Sequence, residues 1–365
     1  MSIDIRIATY VYPGWHSELE RKDERGQVLN EWSLLRDAKP LFDGHRQPRV
    51  PLNIYDDSLP KSSEWQIGIA KRYGIDVFIY CFYWSFGRRF LYKPLDDAFL
   101  KCSRFKDVEF AIMWANRLPR GILPIRERKG PVIHPSRFVY TNKDDFLKLI
   151  KYIAENYFCK ENYAKVNGRY LFSIFDSTFF IRDTGTEGAR EIIDNSRRWL
   201  TSNGYNDIYL MAINPAPSFI SEYKKAGFDA ISHYVFLPDW KGEFLQDYRW
   251  LIRRRVGEWR EFANRSGLPY YPSVSPGWDA TPRGRVEGKK PPKRYPYWPI
   301  VVNENPEDFK WFLKTGLDYN IENNRDSPIQ FVTSLNEWSE GHYLEPDSHF
   351  GYGFLEAIKN AKEDI

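Results

Sequence analysis

Runs of apolar, β-branched and aromatic residues recur along the chain, separated by stretches whose apolar positions repeat with helical period. Eight such runs stand out: RIATYVY from Arg6, IDVFIYCFYW from Ile75, EFAIMWA from Glu109, RYLFSIFD from Arg169, IYLMAI from Ile208, FDAISHYVF from Phe228, PYYPSVS from Pro269 and PIQFVTSL from Pro328. Nearly continuous apolar runs of this length suit strands buried on both faces, as in a parallel sheet. Between them lie helix signals. Ser62 or Ser63 opens a segment with Trp65, Ile69 and Tyr73 on one side, and Gly74 stops it. Thr141 or Asn142 precedes a segment whose Phe146, Leu149, Ile150 and Ile153 keep the helical period. Residues 187–200, 243–263, 306–317 and 351–361 predict further helices. Eight strand–helix alternations predict an α/β fold, a (β/α)8 TIM barrel made as one domain over residues 1–365. An open doubly wound sheet is the alternative, without a GxGxxG loop to support it.

Three connections are too long for simple barrel loops: residues 13–57 after strand 1, 118–140 after strand 3 and 277–305 after strand 7. All leave the C-terminal ends of strands, the face where barrels carry their active sites. The first two predict a lid or substrate wall, whereas the KKPP stretch of the third reads as a loose insertion.

Composition narrows the function classes. Lys+Arg 53 against Asp+Glu 49 gives a net charge of only +4, unlike the strongly basic domain of a nucleic-acid binder. No apolar stretch is long enough to span a bilayer. The start lacks a signal-peptide layout, and three cysteines (Cys81, Cys102, Cys159) form neither a disulfide framework nor a zinc pattern. A cytoplasmic location is expected on these grounds. Aromatic residues make up 17% of the chain, and many lie in loop-like settings such as YPGWH, PGWD and YPYWP. Rings there either pack or present flat apolar faces with polar tips, which suit sugars.

Candidate residues sit just past the strand ends: Tyr12, Trp15 and His16; Tyr83 and Trp84; Trp114, Asn116 and Arg117; Asp176; Asn214; His233 and Tyr234; Trp278 and Asp279; and Asn336, Glu337 and Glu340. The histidines show no HxH or HExxH spacing, so neither a metal nor another cofactor is expected. Glu337 and Glu340 are three residues apart in TSLNEWSEGHYLEPD, after an apolar run and before a glycine. A helical turn would bring both to one side. Crowding two carboxyls raises one pKa, which leaves one acid and one base, as glycosidic cleavage requires. The same pair could instead cap the following helix or bind a nearby arginine.

The segment NEWSEGHYLEPD resembles the signature of the WbsX-like proteins, which are related to glycoside hydrolase family 99. KPLFDGHRQPRVPLNIYDDS, AKRYGIDVFIYCFYW, KPLDDAFL, EFAIMWAN, YPSVSPGWDATPRGR and SHFGYGFLEAI match in order, so the resemblance covers nearly the whole chain. It implies a (β/α)8 barrel. Family 99 contains endo-α-mannosidases and endo-α-mannanases that retain configuration without a metal. The WbsX-like group is associated with bacterial O-antigen and other polysaccharide gene clusters, hence lipopolysaccharide biosynthesis, and is labelled glycosyltransferase from that context. The resemblance implies that Glu337 helps the substrate's own 2-hydroxyl attack the anomeric carbon, through a 1,2-anhydro sugar, and that Glu340 is general acid, then base. It further implies a substrate-binding wall of Tyr12, Trp84, Trp114, Asn116, Trp278, Asp279 and Arg283, with Asn336 bonding a sugar hydroxyl or holding Glu337; His233 and Tyr234, read from the strand ends, and His342 are further substrate-binding candidates.

The chain departs from the pattern in two places. Arg117, Leu118 and Pro119 follow WAN where a carboxylate is usual, and Ser339 stands where family 99 has His. Arg117, Arg120, Arg126, Arg128, Arg283 and Arg285 could line a cleft for an anionic sugar, or form a solvated basic loop. The expected activity is that of a retaining glycoside hydrolase on an oligo- or polysaccharide. A surface-polysaccharide glycosyltransferase is the alternative, although the chain has no DxD motif and no phosphate loop; a binding protein without turnover is a third reading.

Overall fold

The computed structural model describes residues 5–23, 25–126, 133–286 and 291–365. Eight parallel strands make the barrel: β1 Arg6–Val11, β2 Val77–Ser85, β3 Glu109–Trp114, β4 Arg169–Ile174, β5 Ile208–Ile213, β6 Ala230–Ser232, β7 in two pieces (Tyr270–Tyr271 and Ser273–Val274) and β8 Ile329–Val332. Consecutive strands pair in order, and β1 also pairs with β8 from Arg6↔Ile329 to Thr9↔Val332. The two pieces of β7 complete the ring, one bonding β6 and the other β8. Pro272 lies between them and has no N–H to give a ladder; its carbonyl accepts from Gln330 Nε2 at 3.0 Å.

The helices are α1 Trp32–Asp37, α2 Pro60–Tyr73, α3 Lys143–Ile153, α4 Ser177–Thr184, α5 Thr186–Ser202, α6 Glu222–Ala226, α7 Tyr248–Ser266, α8 Pro306–Asn323 and α9 Gly353–Glu363. Their ends follow local chemistry. Gly74 stops α2 in the left-handed region at φ 81°. Asn142 caps α3 by accepting from Asp145 N at 2.8 Å. Two expectations shift. The helix predicted over 243–263 begins at Tyr248, because Asp247 caps Trp250 N and Leu245–Asp247 pairs instead with Ile300–Val302 of the long β7 loop. The helix predicted to end at 317 runs on to Asn323, since Leu317, Tyr319 and Asn320 continue its buried side. Between β2 and β3 the chain forms short π and 3-10 turns, Pro94–Ala98 and Phe99–Lys101, in place of an α-helix.

The three long loops knit together over the C-terminal face. In the first, Glu18–Lys22 pairs with Val28–Leu29, and Lys22 bridges to Ile122 of the β3 loop. Ile125–Arg126 of that loop pairs with Gly284–Arg285 of the β7 loop. Beneath the first loop Tyr12, Trp15, Trp32, Tyr55, Trp338 and Tyr343 form a separate buried cluster. Trp15 and Trp32 meet with ring centroids 4.2 Å apart. Burying each large ring stabilises by about 2–3 kcal/mol, so many loop aromatics are packing groups. Lys289 and Lys290, in the stretch read as a loose insertion, lie outside the described residues, as does Arg128. Among the described residues no helix is long and apolar enough to cross a membrane.

Candidate active site

Past β8 the chain folds into a hairpin. Asn336–Glu337 pairs antiparallel with His342–Tyr343 across a 3-10 turn, Trp338–Glu340. In a 3-10 turn side chains three residues apart eclipse, so Glu337 and Glu340 share one side. The turn is pinned at several points. Tyr12 N donates to Asn336 Oδ1 at 2.8 Å and Asn336 Nδ2 donates to Tyr12 O at 3.0 Å, which stitches the hairpin to the end of β1. Glu337 N donates to Ser334 Oγ at 2.8 Å. Asp279 N donates to the Glu340 carbonyl at 2.8 Å. Gly341 has φ +72°, and a Cβ there would lie 2.6 Å from Asp279 N, so this corner requires glycine.

Arg283 lies between the two carboxylates. Its Nη2 donates to Glu337 Oε1 at 2.5 Å and its Nη1 donates to Glu340 Oε1. Tyr234 Oη donates to Glu337 Oε2 at 2.9 Å, and Tyr295 Oη donates to Glu340 Oε1 at 2.6 Å. His342 Nε2 lies 3.3 Å from Glu340 Oε2. Glu31, fully buried, is the third carboxylate: it accepts from Arg21 and Tyr12, and from Ser339 Oγ at 2.8 Å and Arg283 Nη2 at 3.3 Å.

Two guanidiniums thus face three carboxyls, and one retained proton makes the set neutral. Burial pushes the Glu337 carboxyl up to about 8; Arg283 opposes this, while Glu340 and Glu31 add to it. Burial would raise Glu340 too, but Arg283, His342 and Tyr295 hold it down to about 2. In the free site the proton therefore rests on Glu337. Burial and Arg255 lower His233 to about 3.

The pair lies at a cavity of about 1000 Å³, walled by rings of Tyr12, Tyr83, Tyr234, Trp240, Trp278 and Tyr295. His233 and Arg283 reach the same cavity. Other expected wall residues are placed elsewhere. Trp84 points outward, its Nε1 donating to Asp145 Oδ1 at 3.2 Å and its ring against Tyr152. Trp114 packs on Phe146 and Phe180. Successive strand residues face opposite sides, so Tyr83, Met113 and Ala115 reach the cavity where their neighbours Trp84 and Trp114 do not. Asn116 bonds the backbone N and O of Asp176, joining the ends of β3 and β4. Asp279 is enclosed by His45, Gln47 and Thr281. Asn336 is the clamp on β1. His342 stacks parallel to Trp278 behind Glu340, with ring centroids 5.5 Å apart. These residues hold the site from behind.

Glu31, Arg21, Trp240 and Tyr295 are candidate site residues that inspection of strand ends misses, because they come from loops. Glu31 did carry a signal: residues 30–33 read Asn-Glu-Trp-Ser, the same four residues as 336–339. Both glutamates bind Arg283.

Known proteins resemble this chain at three levels. The structure of the GH99 endo-alpha-mannosidase from Bacteroides thetaiotaomicron superposes with TM-score 0.63 at 14% identity, covering 100% of this chain and 98% of that one. A glycoside hydrolase-like protein superposes with TM-score 0.59 at 13% identity, covering 99% and 95%. At such identities the likeness is one of fold. Two curated relatives from strains of Xanthomonas campestris pv. campestris, each called uncharacterized protein WxcX, are 27% and 26% identical over 97% of this chain, which spans 49% of their length. Residues 6–358 match the family described as Glycosyltransferase WbsX, and the chain belongs to that family.

Proposed function

We propose that the chain is a carbohydrate-active enzyme, a retaining glycoside hydrolase of the family 99 type acting on an oligo- or polysaccharide. One observation carries this reading: two carboxyls share one arginine at a ring-walled cavity. Glu337, deeper and hydrogen-bonded by Tyr234, accepts the proton of the substrate's 2-hydroxyl as that oxygen attacks the anomeric carbon. Glu340, with 12% of its side chain exposed, protonates the leaving oxygen as its bond to that carbon breaks. It then takes a proton from the water that attacks the anomeric carbon of the 1,2-anhydro sugar, while Glu337 returns its proton to the 2-oxygen released there, and two displacements retain configuration. Before this, the shared proton has to move from Glu337 to Glu340. A leaving oxygen seated beside Glu340 displaces the guanidinium that keeps it ionised, while Arg283 Nη2 stays on Glu337. Proton donation of this kind contributes about 10²- to 10⁴-fold.

The test is Glu340→Gln. It should lower turnover of an unactivated glycan by at least about 10²-fold and lose far less on aryl glycosides whose leaving group needs no proton. Unchanged turnover of the unactivated glycan would end the assignment. The family's description favours a second reading, a glycosyltransferase on the same barrel. Mass spectrometry of products formed with and without sugar nucleotides separates the two, since a transferase makes product only when the nucleotide sugar is present.

A further inference from the structure

The proposed reaction explains the glutamates but not the charge of the cavity around them. Among the described residues ten Arg and Lys side chains line it, against four Asp and Glu. Most of these cations have partners: Arg254 binds Asp239 and Glu258, Arg255 binds Glu258, and Arg117 binds Asp176. Arg137 is different. It stands in the short turn Pro135–Arg137 of the β3 loop. Its Nε donates to Leu118 O at 2.8 Å, and Leu118 N donates to Arg137 O at 2.7 Å, so the stem is anchored from two directions. Among the described residues no carboxylate lies within 4.0 Å of its guanidinium. Its strongest electrical neighbours are Arg120, Tyr295, Tyr83 and Arg117, which line the same cavity. Burial and the repulsion of Arg120 lower Arg137 to about 10, so it stays cationic at neutral pH.

A guanidinium held by its stem among like charges, facing a cavity and without a carboxylate among the described residues, has the form of an anion site. Its distance from the chemistry is short in residues: Arg120 lies over the Tyr295 ring, 5.2 Å from its centroid, and Tyr295 Oη touches Glu340. We infer that Arg137, with Arg120 beside it and Tyr83 as a neutral donor, binds an oxyanion of the substrate close to the bond that Glu340 serves. The group is the carboxylate of an acidic sugar or the phosphate of an activated one. This rests on the proposed carbohydrate reading and names the class of substrate it takes. A neutral mannoside would leave the Arg137 charge uncompensated.

Calorimetric titration of the protein with tri-galacturonate, with neutral galactotriose and with UDP tests the inference. At least one anionic probe should bind at least ten-fold more tightly than galactotriose, and Arg137→Gln should remove that advantage without changing the melting temperature. Tri-galacturonate as the preferred probe identifies an acidic glycan; UDP identifies a phosphate-bearing donor. An anion advantage below ten-fold, or one that survives in Arg137→Gln, overturns the site. Should that variant not fold, Arg120→Gln carries the same expectation. Binding is read here without turnover, so the result is independent of the Glu340→Gln assay. An anion advantage below ten-fold beside Glu340-dependent glycan cleavage would sink the anion site alone, and anion binding with neither acidic nor neutral glycans cleaved would sink the hydrolase reading alone.

Discussion

Glu337 and Glu340 are the same kind of side chain three positions apart, yet their surroundings drive them in opposite directions. Glu337 is raised to about 8 by burial and Glu340 is lowered to about 2 by Arg283 and His342. The pair therefore carries one proton across the range between, whichever oxygen holds it. Raising the pH through about 8 removes that proton and leaves no acid. The pH profile of kcat/KM, which reports the free enzyme, should thus fall on its alkaline side near pH 8. The Tyr234 hydrogen bond lowers Glu337. Tyr234→Phe should therefore move the alkaline limb to higher pH while the acid limb stays in place. A limb that stays put, or moves downward, would show that Glu337 does not govern it. The sequence spacing made this pair legible; its polarity was not, because Arg283 arrives from 54 residues away.

Among the elements, the hairpin after β8 is held by contacts to other elements as well as by its own hydrogen bonds. Asn336 bonds both backbone groups of Tyr12, and Gly341 leaves room for Asp279 N. Asn336→Ala would strand a buried N–H and C=O, at about 1–3 kcal/mol. The expected outcome is a lower melting temperature together with a fall in kcat. Gly341→Ala adds a Cβ in a left-handed conformation against backbone that cannot retreat, and should cost more stability than Asn336→Ala. Denaturant unfolding of the two variants checks the order. The strands teach a related lesson. Trp84 and Trp114 were natural choices as large rings at strand ends, but a strand's period of two turns them outward to α3 and α4. One-residue register decides between wall and core, and an apolar run buried on both faces carries no mark of it.

Over the whole molecule, burial of carboxyls ties stability to pH. Burial raises Glu345 to about 7, against the Gln66, Trp338 and Tyr55 donors that surround it. Its folded pKa lies above its ordinary 4.5. The stability it contributes is therefore complete below about pH 4.5 and is lost as pH rises through 7. Glu337 acts with the same sign. Melting temperature should decline between about pH 5 and 8, and Glu345→Gln should flatten that decline; an unchanged slope would assign the pH dependence to other groups. The amino-acid sequence by itself determined the eight-stranded barrel, its three long loops and the paired glutamates, because these rest on local apolar period and short spacing. Tertiary structure alone decided that Arg283 and Tyr295 meet the pair, and that Glu31, held by Arg21, shares that arginine. It also decided that Trp84, Trp114, Asn116 and Asp279 stand behind the cavity, and that Arg137 faces it with no carboxylate of the described residues beside it. Ring closure and loop packing bring together charges from distant parts of the chain, and Coulomb interactions depend on separation in space, which spacing along a sequence does not encode.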